Sequence, residues 1–263
     1  MNAAAGLLAG TRGAIVGVSS ENSIGYRLVR DFIAQGALVA ATYRPAREAA
    51  LAPLLERTGV SEHRALEAND EVSIKSAFSG IGSAFGHLDF VVHTIVHVPE
   101  GLLARPLLSV SRDEMHAVSD ASAYSLIAVC RHAAPWLERS KHPRVVTLTS
   151  SSAARMTPSY HAAGIAKAAL GGTLLYLAGE LGPCGVLCNA VAFSLIETEG
   201  AQRAVGEKNA AATRAYLEKR ALTRRAVEPA HVSSAVAFFA SPLCQNITGE
   251  VLTVDGGYAR AYF

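Results

Sequence analysis

The chain has 263 residues, half of them hydrophobic and only 17% charged, with a formal net charge of +2. That length holds one large α/β domain with a sizeable core, and that composition excludes a disordered chain. So small a net charge leaves no electrostatic footprint for nucleic acid. In chain order, residues 13–18 (Gly-Ala-Ile-Val-Gly-Val) form a short apolar run, followed by a Ser/Asn/Gly loop and helical spacing over 26–35. Further buried-strand candidates are residues 37–43, 88–96, 144–148, 186–192 and 251–254, and helical patterns cover 46–58, 71–85, 112–138, 160–181 and 228–240. Apolar strands alternating with helices specify a doubly wound parallel sheet of about seven strands with helices on both faces. There is no internal repeat and no long linker, so residues 1–263 read as a single domain. Residues 197–225 are more polar than their surroundings and read as a helical insertion, either a lid over a site or a solvated helix pair.

The loop after the first strand runs from Gly17 through Ser23 and Ile24 to Gly25, and a helix follows. Small residues let the backbone approach a pyrophosphate, and a helix N-terminus offers free N–H groups and a favourable dipole. The same residues also suit an ordinary tight strand–helix turn. Their place at the start of a βαβ unit favours a nucleotide site in a Rossmann fold. The second strand ends Thr42-Tyr43-Arg44-Pro45, with Arg47 close behind and no acidic residue. An acidic residue there suits the free 2′-hydroxyl of NAD, whereas arginine suits the 2′-phosphate of NADP. The sequence therefore predicts NADPH, with a solvated arginine in a turn as the alternative.

Tyr160 and Lys167 stand seven residues apart on a stretch of helical pattern. Seven residues is close to two turns, so both side chains point to one side. An ammonium there favours phenolate character, and the phenol can donate to a developing oxyanion. Taken alone, such a pair is also an ordinary helix surface. Cys130, Cys184, Cys188 and Cys244 form no CxxC pair, and the nine histidines form no HExxH-type pair. The thiols read as reduced, in a cytoplasmic protein with no metal site. The apolar N-terminal ten residues are short and lack a basic start, a poor signal peptide, and no apolar run is expected to span a membrane.

In combination these pieces resemble the short-chain dehydrogenase/reductase superfamily, and within it the enoyl-acyl-carrier-protein reductases of bacterial fatty-acid synthesis. Gly17-x5-Ser23-Ile24-Gly25 is similar to that branch's nucleotide loop, which usually has Ala where Gly25 stands, and Thr42-Tyr43-Arg44 to the strand ending of its NADPH-using members. His93-Thr94-Ile95, Asp120-Ala-Ser-Ala-Tyr-Ser125, Tyr160-x6-Lys167 and the run from Gly249 to Gly257 resemble its other motifs. Ordinary superfamily members use Tyr-x3-Lys, and here Ala163 occupies that tyrosine's position.

The resemblance implies that Tyr160 is the active-site phenol and that Lys167 binds the nicotinamide ribose. It places Gly17, Ser23 and Ile24 along the pyrophosphate, Glu67 and Ala68 near the adenine, Thr94 and Ile95 under the cofactor, and Ile196 in the segment that touches nicotinamide. Three departures stand out. Ser150 replaces a second tyrosine, as in one NADPH-using branch, and also sits where ordinary members hold a substrate carbonyl with serine. Ser194-Leu195 replaces Gly-Pro, and Val96 replaces a small Gly, narrowing the floor of the site. The implied activity is NADPH-dependent reduction of an enoyl thioester carried on acyl carrier protein or coenzyme A. A helical substrate loop would cover residues 193–225, and its basic residues, Arg203 to Arg225, would meet an acidic carrier or remain a solvated helix. The alternatives are a carbonyl reductase using Ser150 with Tyr160, and a non-catalytic nucleotide-binding subunit. The resemblance also implies a homotetramer, for which the small residues between 168 and 178 suit close helix packing.

Overall fold

The computed structural model describes residues 6–199 and 207–261. Seven strands form one sheet: β1 (Arg12–Val18), β2 (Leu38–Tyr43), β3 (Glu62–Ala65), β4 (Phe90–His93), β5 (Arg144–Ser150), β6 (Leu187–Phe193) and β7 (Val251–Val254). Their order is β3-β2-β1-β4-β5-β6-β7, and every pairing is parallel. The order reverses between β1 and β4, so the crevice beyond their C-terminal ends is where such a sheet takes a ligand.

Helices cover both faces, as buried apolar strands require. One face carries α1 (Ile24–Ala34), α2 (Glu48–Glu56) and the last helix (Pro229–Ala240) around Ile15, Phe32, Leu55, Phe90 and Val232. The other carries α3 (Glu71–Phe85), α5 (Ser125–Leu137) and α6 (His161–Leu181) around Ile74, Phe78, Leu126, Leu170 and Leu174. α4 (Arg112–Ser119) packs beside α6, and α7 (Glu207–Arg220) precedes α8, the Pro229–Ala240 helix.

The structure departs from the sequence reading in four places. β3 has no apolar run to announce it: Glu-His-Arg-Ala is a half-buried edge strand with its own Arg64–Glu62 ion pair, and charge on an edge strand discourages further pairing. The helical pattern over 112–138 is broken by a π turn at Asp120–Tyr124. β4 stops at His93, and Thr94, beyond it, still donates its amide to the Val16 carbonyl of β1 at 2.9 Å. Tyr160 is the N-cap of α6, outside the helix.

One stretch, His161–Cys184, is long and apolar enough to cross a membrane by length and composition, contrary to expectation. The fold accounts for it: Leu170, Leu174 and Leu177 pack under the sheet and Lys167 is buried among them. The polar insertion is a helix over Glu207–Arg220, and residues 200–206 lie outside the described residues.

Candidate active site

The crevice is built from strand ends. β1 bulges at Gly17, whose φ is +103°, a conformation that favours glycine. A Cβ there would lie 2.8 Å from Ile95 Cγ1, and one on Gly25 would lie 3.1 Å from Thr94 Oγ1. Both glycines therefore let the loop settle onto Thr94 and Ile95, and the extra methyl of an alanine at Gly25 would need Thr94 to give by a few tenths of an ångström. Thr94 Oγ1 donates to the Val16 carbonyl at 2.9 Å, stitching β4 to β1. Ser23 caps α1 by accepting from Tyr26 N at 3.2 Å, so Ile24 opens the first turn with its amides facing the crevice end. A glycine-lined cradle ending at a helix N-terminus suits a pyrophosphate.

Arg44, at the end of β2, pairs with Glu67 beyond β3 at 3.5 Å, with Ala68 next to it half-buried. His97 joins this corner. Desolvation and the charge of Arg44 lower its pKa, and Glu67 opposes them. Arg47 reaches Glu199 at 4.0 Å.

Lys167 is buried and comes from the second turn of α6. Its Nζ donates to the Leu148 carbonyl at 2.9 Å and the Ile95 carbonyl at 3.5 Å. Burial disfavours the charge and lowers its pKa to about 8. Tyr160 follows Ser159, a non-glycine residue at φ +55°, the kind of backbone strain that gathers at functional sites. Burial raises the Tyr160 pKa, opposed only by a hydrogen bond with Ser150. The expected phenolate character is thus absent: the phenol holds its proton, because desolvation outweighs the hydrogen bond with Ser150 and Lys167 exerts no resolved pull on it. Ser150 closes β5 and accepts from Ser152 N at 3.1 Å. So Ser150, Tyr160 and Lys167 share one corner, reached from β5 and α6.

The Ser194-Leu195 segment lines a tight crevice with Arg214, Leu217, Val227 and Asp255. Ile196 is buried in the apolar core, which leaves its backbone to meet a ligand. Val96 is 54% exposed, directly after Thr94 and Ile95. Arg214 of α7 donates to Glu197 at 2.9 Å and also pairs with Glu228. Arg155 sits 4.7 Å over the Tyr258 ring, which meets Tyr216 of α7 edge-on at 6.4 Å. Arg203 lies outside the described residues, while Arg214, Arg220 and Arg224 are engaged within the protein. Cys130, Cys188 and Cys244 are buried and Cys184 is exposed, all four as free thiols. Burial raises the Cys188 pKa to about 12. No group of three or more His, Cys, Asp or Glu side chains converges among the described residues.

Sequence reasoning missed the roles of His97, Arg155, Arg214 and Tyr258, because each acts through a partner elsewhere in the chain. It also gave no role to His93 or Ser125, although both fall within quoted motifs.

Residues 17–259 match the family described as enoyl-(acyl carrier protein) reductase. The chain belongs to that family. A Rhizobium meliloti relative named enoyl-[acyl-carrier-protein] reductase [NADH] 1 is 32% identical over 259 residues, covering 98% of this chain and 93% of the relative. A crystal structure of the Anaplasma phagocytophilum reductase with NAD superposes with a TM-score of 0.90 at 26% identity, covering 98% of this chain and 95% of that one. The Bacillus cereus reductase, solved with NADP+ and indole naphthyridinone, gives a TM-score of 0.91 at 28% identity, covering 98% and 100%. The family's enzymes carry a nicotinamide dinucleotide, and the glycine cradle, the α1 N-terminus and the buried Lys167 of this chain fit one.

Proposed function

We propose that this protein reduces the carbon–carbon double bond of an enoyl thioester, with NADPH preferred over NADH. The observation that carries the reading is the half-buried Tyr160, hydrogen-bonded to Ser150 at the end of β5, with buried Lys167 two turns along α6 bonded to the carbonyls of Leu148 and Ile95. When bound, the reduced nicotinamide supplies hydride for the β-carbon of the thioester. Tyr160 Oη donates a hydrogen bond to the thioester oxygen as negative charge develops there. Its raised pKa keeps that proton in place until the oxygen calls for it. Lys167 holds the nicotinamide ribose, and with a pKa of about 8 it is charged at neutral pH and adds to the positive potential.

Several features support the finer points. NADPH rests on Arg44 at an end of β2 that lacks an acidic residue. The Rhizobium relative is named for NADH, while the Bacillus structure holds NADP+. In this reading Gly17, Ser23 and Ile24 meet the pyrophosphate, Glu67 and Ala68 the adenosine, Thr94 and Ile95 the underside, and the Ile196 backbone the nicotinamide. Residues 193–225 form the substrate loop of a single domain, and acyl carrier protein brings the substrate, in the cytoplasm. The outer face of α6 exposes Ile165, Leu175 and Tyr176. A second copy covering that face fits a homotetramer, and light scattering that gave a stable monomer would contradict it.

The Ser150–Tyr160 hydrogen bond favours a second reading, carbonyl reduction, in which both hydroxyls grip one ketone oxygen. One assay separates the two. NADPH oxidation is measured with an enoyl thioester and with the matched β-ketoacyl thioester, and turnover of the enoyl compound is expected. Turnover of the ketone alone makes carbonyl reduction correct.

A further inference from the structure

His93 ends β4 and is fully buried. Its Nδ1 lies 3.0 Å from Thr147 Oγ1, and its Nε2 lies 2.8 Å from Ser125 Oγ. Ser125 has one hydroxyl hydrogen, and it goes to the Ala121 carbonyl at 2.8 Å. A carbonyl only accepts, so Ser125 Oγ must accept from His93 Nε2–H. Nδ1 is then the acceptor, for the Thr147 hydroxyl. The tautomer is fixed by its neighbours, and the chain of donors runs one way: Thr147, His93, Ser125, Ala121. Burial, with the nearby charge of Lys167, lowers the His93 pKa to about 3, so the ring is neutral at physiological pH.

Both ends of this chain bear on Lys167. Thr147 and His93 are register partners on β5 and β4. One residue past Thr147 is Leu148, and two past His93 is Ile95; their carbonyls are the acceptors of Lys167 Nζ. At the other end, Ser125 opens α5 directly after the π turn and closes that turn as its C-cap. Its amide bonds to the Asp120 carbonyl, five residues back. Its hydroxyl takes the Ala121 carbonyl, the group that amide would meet in an α-helix. The π turn packs against α6, the helix that carries Lys167.

We propose that His93 is a positioning residue for Lys167: neutral and protonated on Nε2, it locks β4 to β5 and, through Ser125, locks the π turn against α6. The cation is thereby held between fixed carbonyls and a fixed helix. This goes beyond the enoyl-reductase reading but rests on its assignment of Lys167 to the cofactor.

The deciding measurements use the full chain without substrate, so they stand whatever the reaction proves to be. Cofactor affinity is read from NADPH fluorescence, folding from thermal denaturation, and the imidazole from its ring 15N shifts. His93→Phe and Ser125→Ala should weaken NADPH binding about tenfold, the loss expected when one hydrogen bond to a charged group is misplaced. His93→Gln keeps a donor near the Nε2 position and should restore most of that affinity. In the wild type, the ring should be Nε2-protonated and should not titrate between about pH 5 and 9. With substrate, KM for NADPH should rise while kcat at saturating cofactor changes less than about threefold. An Nδ1-protonated or titrating ring would overturn the proposal even if every variant failed to fold. So would folded Phe and Ala variants with wild-type affinity, or a Gln variant as weak as Phe.

Discussion

The two walls of the crevice are held by different forces. On the side that the proposed function gives to the cofactor, Thr94, Thr147, His93, Ser125 and Lys167 are buried and tied by hydrogen bonds across β1, β4, β5 and the start of α5. On the α7 side, which the proposed function gives to the substrate, the helix is tied down by Arg214, one-third exposed, to Glu197 and Glu228, which are 62% and 48% exposed. Breaking a buried hydrogen bond leaves a desolvated group unpaired, at about 1–3 kcal/mol. An exposed ion pair contributes about 0–1 kcal/mol and weakens with salt. The first wall can fix reacting groups to fractions of an ångström. The second, held by exposed charges, is the wall that salt and single substitutions should loosen with the least cost to the fold.

The strongest test of the contrast lies on the rigid wall. Tyr160→Phe should lower turnover on the order of 100-fold or more, since it removes a single oxyanion donor, while NADPH affinity stays unchanged. Unaltered turnover would move the chemistry elsewhere. Lys167→Met should weaken NADPH binding by roughly 10- to 100-fold, because the group lost is a charge-assisted donor.

That same variant should be more stable than the wild type at pH 7. A pKa of about 8 against an ordinary 10.5 means that burying the charge costs about 3 kcal/mol. Two carbonyls lose their donor, at about 1 kcal/mol each, leaving a net gain of about 1 kcal/mol. The sign can be followed with pH. The wild type carries its full penalty below pH 8 and sheds it as pH rises to 10.5, so the advantage of the Met variant should shrink over that window. Denaturation at pH 7 and pH 10 reads it; a constant difference would contradict the assignment.

Three smaller effects follow. Arg44→Gln should raise KM for NADPH about tenfold and leave that for NADH nearly unchanged, because only one cofactor has the 2′-phosphate; equal effects would remove the preference. Ser150→Ala should cost roughly tenfold or less in turnover of an enoyl thioester, since Tyr160 keeps its place at the start of α6. A loss near 100-fold would support the ketone reading. On the ion-paired wall, Arg214→Gln should change substrate KM by only about two- to fivefold at low salt and leave cofactor affinity alone. If high salt fails to erase that difference, Arg214 acts by packing rather than by charge.

The alternation of apolar strands and helices, the glycine loop and the Tyr160–Lys167 spacing are local patterns, and they were legible because period, backbone freedom and helical repeat are properties of neighbouring residues. Those patterns were enough for the parallel sheet, the crevice and the family. β3 escaped because an edge strand half in water needs no apolar run, and the π turn because helical periodicity barely registers one extra residue. The protonation of Tyr160, the lowered pKa of Lys167 and the tautomer of His93 were beyond the sequence altogether. Each depends on which distant groups are brought close and how much water is excluded, as when residues 93, 125 and 147 meet in one buried chain. Charge and hydrogen-bond direction are decided by surroundings, and only the folded chain supplies them.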